Sequence, residues 1–338
     1  MPDLFPPTRL LGSGGPEIST LGLGAWAIGG RDWGPQDDRD SIATIHRALD
    51  AGLSWIDTAA VYGHGHSERV VARALRGLAE RPLVFTKCGI SWRDGDAGPD
   101  LRPEAVRRGC EESLRRLGVE RLDLLQFHAP DRRTGTAVEE SWGAMAGLVA
   151  EGKVRWAGVS NFDVGLLERC EPIMHVDSLQ PPFNAIDRAA GSELLPWCEA
   201  NGTGVIVYGP MMAGLLTERF SRERAAALDP SDWRRALTDV FAEPALSRNL
   251  ALRDALAPVA DRHGTSVAAV AVAWTLAWPG VIGAIVGARS PQQVDGWIDA
   301  ASLELDSEDI DAIATAIRST GAGSGPVQPG VKAVRHGE

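Results

Sequence analysis

One lysine stands in an apolar run, "LVFTKCG" at 83–89, in a chain whose 34 basic residues include only two other lysines, Lys153 and Lys332. An ammonium in a dry strand is costly unless something holds it there. Possible partners recur at the ends of neighbouring apolar runs. Asp57 ends one run, with Tyr62 five residues further on, and His128 ends another. A carboxylate, a phenol, an amine and an imidazole at one place can do acid–base work on a substrate oxygen. Asp57 would balance Lys87. The ammonium would favour the phenolate of Tyr62 and draw its pKa below the value of about 10 for a free phenol. A phenol tuned in this way is a proton donor near neutral pH, and His128 would hold and orient the substrate oxygen. Taken singly, each residue has an ordinary structural reading as a helix cap, a loop packing residue or a core histidine. Their joint placement is what points to chemistry.

The four residues meet only if the chain brings the ends of its apolar runs together. Strand-length apolar runs alternate with amphipathic runs of helix length. The pairs are 21–26 with 40–52, 54–59 with 67–78, 83–89 with 103–118, 122–128 with 137–152, 154–161 with 164–174, and 177–180 with 192–202. Two more follow, 203–209 with helices near 249–263 and 266–277, and 283–288 with 291–301. Several helices end on glycine (Gly52, Gly118, Gly152, Gly202), a common C-terminal cap. Helical crossovers between successive strands imply a parallel sheet, and eight units predict a (β/α)8 TIM barrel spanning 1–338 as a single α/β domain. A doubly wound open sheet is the alternative. It would be favoured by G-x-G-x-x-G after an early strand, but "GLGAWA" has Ala27 at the third position.

An N-terminal β-hairpin is predicted at about 8–20, where it could plug one end of a barrel running over 21–301. A C-terminal helix and tail would occupy 302–338. The stretch 210–248 is too long for an ordinary connection and reads as functional or mobile. "GAGSG" at 321–325 follows no strand and reads as flexible tail.

Chemistry in such a barrel belongs at the C-terminal ends of its strands. Besides Asp57, Lys87 and His128, those ends carry Ser160, Asn161, Gln180, Tyr208, Arg289 and Ser290. Both tyrosines of the chain, Tyr62 and Tyr208, fall on this rim.

The net charge of −11 and the lack of a basic tract argue against nucleic acid as a partner. The longest apolar stretch, 266–278, is short for a membrane span, and the N-terminal residues lack the pattern of a signal peptide. Four widely spaced cysteines and seven histidines show no metal-ligand spacing. A cytoplasmic protein with reduced thiols and no metal is the expectation.

The motifs "LGLGAWAIGG", "WIDTAAVYGHGHSE", "VFTKCG", "LLQFHAPD", "GKVRWAGVSNF", "SLQPPFN", "VYGPMMAGLLT" and "IVGARSPQQV" occur in order at the strand ends. Together they resemble the aldo-keto reductase family from about residue 9 to 318, nearest to its bacterial general-stress and inositol-associated members. The resemblance implies the barrel with an N-terminal hairpin. It also implies hydride transfer from NADPH, with NADH possible, to an aldehyde or ketone. Tyr62 matches the proton donor, Lys87 and Asp57 its tuning pair, and His128 the orienting group. Ser160, Asn161 and Gln180 match the residues that hold the nicotinamide carboxamide, and Tyr208 the ring stacked on the nicotinamide. Gly24, Trp26 and Asp57 belong to the implied cofactor set, as do Gly209, Pro210, Gly214 and Leu216 near the pyrophosphate. Gly287, Arg289, Ser290 and Gln293 form the phosphate motif. There Ser290 would cap a helix beginning at Pro291, and Arg289 would pair with a 2′-phosphate, favouring NADP over NAD.

Two departures stand out. Gly296 and Trp297 replace the Glu-Asn that many relatives place near adenine, and "LLTERF" replaces a more usual Gly and Lys after the threonine. Trp26, Trp33 and Trp92, with Tyr62 and His128, would line a pocket for a small, hydrophobic or aromatic carbonyl compound. His64 and His66 would either tune that pocket or sit in solvent. Assembly is open between monomer and homo-oligomer. Two rival functions are a Schiff-base lyase built on Lys87, which Asp57 opposes by favouring the ammonium, and a redox-sensing subunit that holds its cofactor and turns over slowly.

Overall fold

Period-two alternation along the strands positions both the core and the site. The computed structural model describes residues 5–30, 33–93, 96–229 and 232–330. After a hairpin of β1 (Thr8–Leu10) and β2 (Glu17–Ser19) come β3 (Leu21–Gly24), helix α1 (Asp38–Asp50), β4 (Trp55–Asp57) and α2 (His66–Ala74). Then follow β5 (Leu83–Cys88), a second hairpin of β6 (Ile90–Arg93) and β7 (Asp96–Pro99), and α3 (Pro103–Leu117). The chain continues through β8 (Leu122–Phe127), α4 (Val138–Ala150), β9 (Val154–Ser160), α5 (Val164–Cys170), β10 (Ser178–Gln180), α6 (Leu194–Asn201) and β11 (Gly204–Tyr208). It ends with α7 (Arg222–Ala226), α8 (Thr238–Phe241), α9 (Ala245–Ala255), α10 (Ala257–His263), α11 (Val267–Leu276), β12 (Val281–Gly287), α12 (Pro291–Asp295) and α13 (Ser307–Thr320). Among the described residues, eight parallel strands close in the order β10-β11-β12-β3-β4-β5-β8-β9. The fold is a (β/α)8 barrel.

Inside it, Trp55, Phe85, Leu124, Ile206 and Ile285 form one apolar cluster with Leu11 and Ile18 of the hairpin. Two residues further along the strands, where the pleat returns to the same face, stand Asp57, Lys87, Gln126 and Tyr208. The intervening residues, such as Ile56, Leu125 and Val207, pack outward against the helices. The inner face therefore changes from apolar to polar one layer below the rim. Glycine makes room for the largest ring of the lower layer, since a methyl group on Gly22 would lie 2.2 Å from the Trp55 indole. The hairpin is fixed as a plug: Trp55 Nε1 donates to the Ser19 carbonyl at 2.8 Å and Arg9 Nη1 to that of Val281 at 2.7 Å.

The structure corrects several sequence expectations. "GAGSG" is docked rather than free. Gly323 and Gly325 have positive φ and sit so close to the backbone of Ile186 and Arg188 that a Cβ at either would clash. Buried Arg188 also reaches the Ala322 carbonyl at 3.2 Å. Such docking depends on a partner 134 residues away, so local composition does not reveal it. The β6–β7 hairpin was not marked. The helix expected over 249–263 starts earlier and divides into α9 and α10 where Pro258, lacking an N–H, opens the second segment. That expected over 291–301 divides into α12 and a 3-10 turn, Ile298–Ala301. Ser290 occupies the N-cap position of α12 but makes no side-chain capping bond.

Candidate active site

Lys87 is 1% exposed and Asp57 2%, so neither charge is carried by solvent. The Lys87 ammonium donates to Asp57 Oδ1, to the Thr58 carbonyl at 3.1 Å and to the Tyr62 hydroxyl at 3.4 Å. These three contacts match its three N–H groups. Asp57 Oδ2 accepts from Gln180 Nε2 at 2.9 Å. Burial pushes the Asp57 carboxyl up, opposed by the Lys87 charge, and pushes the Lys87 ammonium down, opposed by Asp57. The pair lies on adjacent strands, with Asp57 opposite Phe85 in register and Lys87 two residues beyond.

Tyr62 is placed by a backbone-on-backbone contact. Gly63 has φ +58°, and a Cβ on it would stand 2.1 Å from the Gly29 carbonyl oxygen, so only glycine lets the loops after β3 and β4 meet. Their contact accompanies the stacking of Trp26 on Tyr62, with centroids 6.0 Å apart and planes inclined by 23°. The His128 ring meets Tyr62 edge-on at 5.7 Å. Burial, helped by the Lys87 charge, lowers the His128 imidazole to about 3. It is therefore neutral at neutral pH. Its Nδ1 is buried without a hydrogen-bond partner.

On the far side of the rim, Ser160 Oγ donates to the Gln180 carbonyl at 2.7 Å. Asn161 Nδ2 donates to Ser160 Oγ at 3.1 Å and to the His128 carbonyl at 3.0 Å, and Tyr208 Oη donates to Asn161 Oδ1 at 3.0 Å. Asn161 has φ +61°, a conformation that side chains rarely adopt. Beyond β11, Met212, Ala213 and Gly214 all have positive φ, and a Cβ at Gly209 or Gly214 would meet nothing within 4 Å. Backbone held in this region by non-glycine residues costs on the order of 1–3 kcal/mol each and clusters at functional turns. Gly24 pairs in register with both Asp57 and Gly287, which joins the ends of β3, β4 and β12.

The remaining expected residues are less uniform. Pro210 is buried, and the Leu216 side chain belongs to the core. Trp297 is also in the core. Gln293 Oε1 accepts from the Arg289 amide at 2.8 Å, just before the helix. The Arg289 guanidinium lies against residues 33–36. His66 is paired with Asp38 at 2.7 Å. Trp33 packs edge-on against Trp26 at 5.5 Å. The side chain of Trp92 lies outside the described residues. Among the described residues, no group of three or more His, Cys, Asp and Glu could hold a metal ion.

Two contributors escaped the sequence reading. Trp233, from the long 210–248 connection, lies 4.6 Å from Trp26 and 5.4 Å from Trp33 between ring centroids, while Arg234 stands over Trp33 at 5.1 Å. A tryptophan isolated in the charged stretch "SDWRRALTD" was the available signal. Asn184 holds the Gly209 carbonyl at 3.0 Å through Nδ2 while its Oδ1 accepts from the Ile186 and Asp187 amides. It was visible only as part of "SLQPPFN".

Fold and site define a barrel protein with acid–base groups gathered on its C-terminal rim. Residues 20–318 match the Aldo/keto reductase family, and the chain belongs to that family, whose members are oxidoreductases using nicotinamide cofactors. It is 34% identical over 309 residues to the Aldo-keto reductase YhdN of Bacillus subtilis, covering 90% of this chain and 92% of that one. It is 32% identical over 316 residues to the NADH-specific methylglyoxal reductase of Escherichia coli, covering 89% and 95%. The solved glycerol dehydrogenase AKR11B4 of Gluconobacter oxydans superposes with a TM-score of 0.85 at 36% identity, covering 98% of this chain and all of that one. Among the described residues, no helix is long and apolar enough to cross a membrane.

Proposed function

We propose that this protein reduces a small aldehyde or ketone, with Tyr62 giving the proton to the carbonyl oxygen. The observation that carries the reading is the position of the Lys87 ammonium, bonded to Asp57 and 3.4 Å from the Tyr62 hydroxyl. A cation at that distance stabilises the phenolate left when Tyr62 Oη gives up its proton. Asp57 and the Thr58 carbonyl keep the ammonium from turning away. The same ion pair speaks against a Schiff base on Lys87, because Asp57 favours the charged amine.

A neutral His128 offers an N–H to the carbonyl oxygen and adds no second cation beside Lys87. The amide and hydroxyl groups of Ser160, Asn161 and Gln180 suit a carboxamide, which needs both donors and acceptors. Tyr208 suits the ring beside it. The open positions at Gly209 and Gly214, in a backbone turn that already bears positive φ, suit a pyrophosphate. These residues fit a nicotinamide dinucleotide, which when bound supplies the hydride. Gly24, Pro210, Leu216, Gly287, Ser290 and Gln293 would border it.

The coenzyme is NADPH or NADH: the phosphate motif carries one cation, Arg289, whereas the E. coli relative is named for NADH. Trp26 and Trp33 form an aromatic wall suited to an apolar substituent on the carbonyl. Cys88, Cys110, Cys170 and Cys198 are all free and buried, which supports a reducing, cytoplasmic setting. The test is a fluorescence titration with NADPH and with NADH, followed by a panel of aldehydes and ketones with the better coenzyme. Saturable binding and turnover are expected. Tight binding with no turnover on any carbonyl would instead mark a cofactor-holding sensor.

A further inference from the structure

Arg289 is the cation that the phosphate motif brings to the rim, yet three of its five guanidinium N–H groups are already held by protein. Nε donates to Gln36 Oε1 at 2.9 Å, Nη1 to the Trp33 carbonyl at 2.9 Å and Nη2 to that of Pro35 at 2.5 Å. Gln36 Nε2 returns a bond to the Arg289 carbonyl at 2.9 Å. The loop at 33–36 is thereby fastened to the end of β12, more than 250 residues away in sequence. Three acceptors in a fork suit a guanidinium and not a lysine ammonium. The loop carries Trp33, which packs on Trp26, and Trp26 stacks on Tyr62.

We propose that Arg289 is a positioning residue for the substrate wall: it holds the 33–36 loop so that Trp33 braces Trp26, which stacks on Tyr62. With three N–H groups committed to the loop, a phosphate at this rim would meet a guanidinium already fixed by protein and sharing only its remaining two. Arg289 therefore acts chiefly on carbonyl binding and contributes little to the choice between NADPH and NADH. The inference rests on the reading of Tyr62 as the proton donor.

The experiment compares wild type, Arg289→Ala, Gln36→Ala and the double variant, after circular dichroism has checked that each is folded. Dissociation constants for NADPH and NADH come from calorimetry, KM and kcat from an aldehyde that wild type reduces, and loop packing from tryptophan emission. Losing the two strut bonds of the Gln36 amide is expected to raise KM by about 2- to 10-fold in Gln36→Ala with kcat retained, and to shift its emission to the red. Arg289→Ala is expected to raise KM at least as much, and the double variant by less than the product of the two single effects, because the two side chains share one bond. The NADPH-to-NADH ratio of dissociation constants should stay within a factor of about three of wild type, well below the effect of a lost charged phosphate bond. The proposal is overturned if Arg289→Ala weakens NADPH alone by about tenfold or more. It is also overturned if Gln36→Ala leaves KM and emission unchanged. If wild type binds coenzyme but reduces no carbonyl, the proposed function fails, while emission and the two dissociation constants still decide the role of Arg289.

Discussion

The Lys87 ammonium stands 3.4 Å from the Tyr62 hydroxyl, near the end of a strand that is otherwise uncharged. Asp57 holds it there, and the barrel supplies Asp57 from the neighbouring strand. A buried cation beside a phenol stabilises the phenolate.

Replacing Tyr62 by Phe removes the hydroxyl but keeps the ring that stacks on Trp26. Coenzyme affinity should stay within a factor of a few of wild type, while kcat falls by about 10²- to 10⁴-fold, the usual span for a lost general acid. Steady-state carbonyl reduction checks it, and near-wild-type turnover would refute the proton-donor role.

Breaking the buried pair should cost stability as well as activity. Lys87→Met leaves a buried carboxylate and Asp57→Leu a buried ammonium, so each single variant should lose on the order of 3–5 kcal/mol. The double variant removes both charges and should recover much of that loss while remaining inactive. Urea unfolding measures all three, and simple additivity of the two losses would argue against a coupled pair.

His128 gives the pH dependence a definite sign. Its folded value is lowered to about 3, whereas an unfolded histidine titrates near 6.5. Between these limits the unfolded chain binds the extra proton and the folded protein does not. The stability contribution is complete above about pH 6.5 and falls as the pH drops towards 3, by at most about 1.4 kcal/mol per pH unit. Substituting His128 by Asn should flatten this slope in urea unfolding at pH 7, 6 and 5. Parallel slopes in variant and wild type would show that the imidazole is not held neutral.

The connection that carries Trp233 should respond to coenzyme. Saturating NADPH is expected to slow tryptic cleavage within 215–248, where several arginines offer sites. Trp233→Ala, which gives up the ring contacts with Trp26 and Trp33, should speed cleavage by about 2- to 10-fold, as lost aromatic pairs of about 0.5–1.5 kcal/mol would allow. Equal cleavage with and without NADPH would remove the idea of a clamp.

Much of the barrel could be read from local pattern. Trp55 and Asp57, like Phe85 and Lys87, are two residues apart and so share a face, which makes the apolar layer and the polar rim visible in one strand. The C-terminal end of "LVFTKC" was likewise legible as a place for chemistry once eight βα units were counted. The β6–β7 hairpin was not, because "DAGP" consists of residues that strands disfavour, and the four alternating residues of "ISWR" name no partner by themselves.

The sequence by itself determined the order of the eight βα units, the face on which each polar residue of their strands falls and, through its motifs, the family. These follow from periodicity and residue type within a few positions of one another. Tertiary structure alone decided the contacts between distant segments: Arg289 against residues 33–36, Trp233 over Trp26, and Gly323 and Gly325 against Ile186 and Arg188. Such contacts depend on which loops barrel closure brings side by side, and a hydrogen bond spanning 250 residues leaves no mark on the local pattern of either partner.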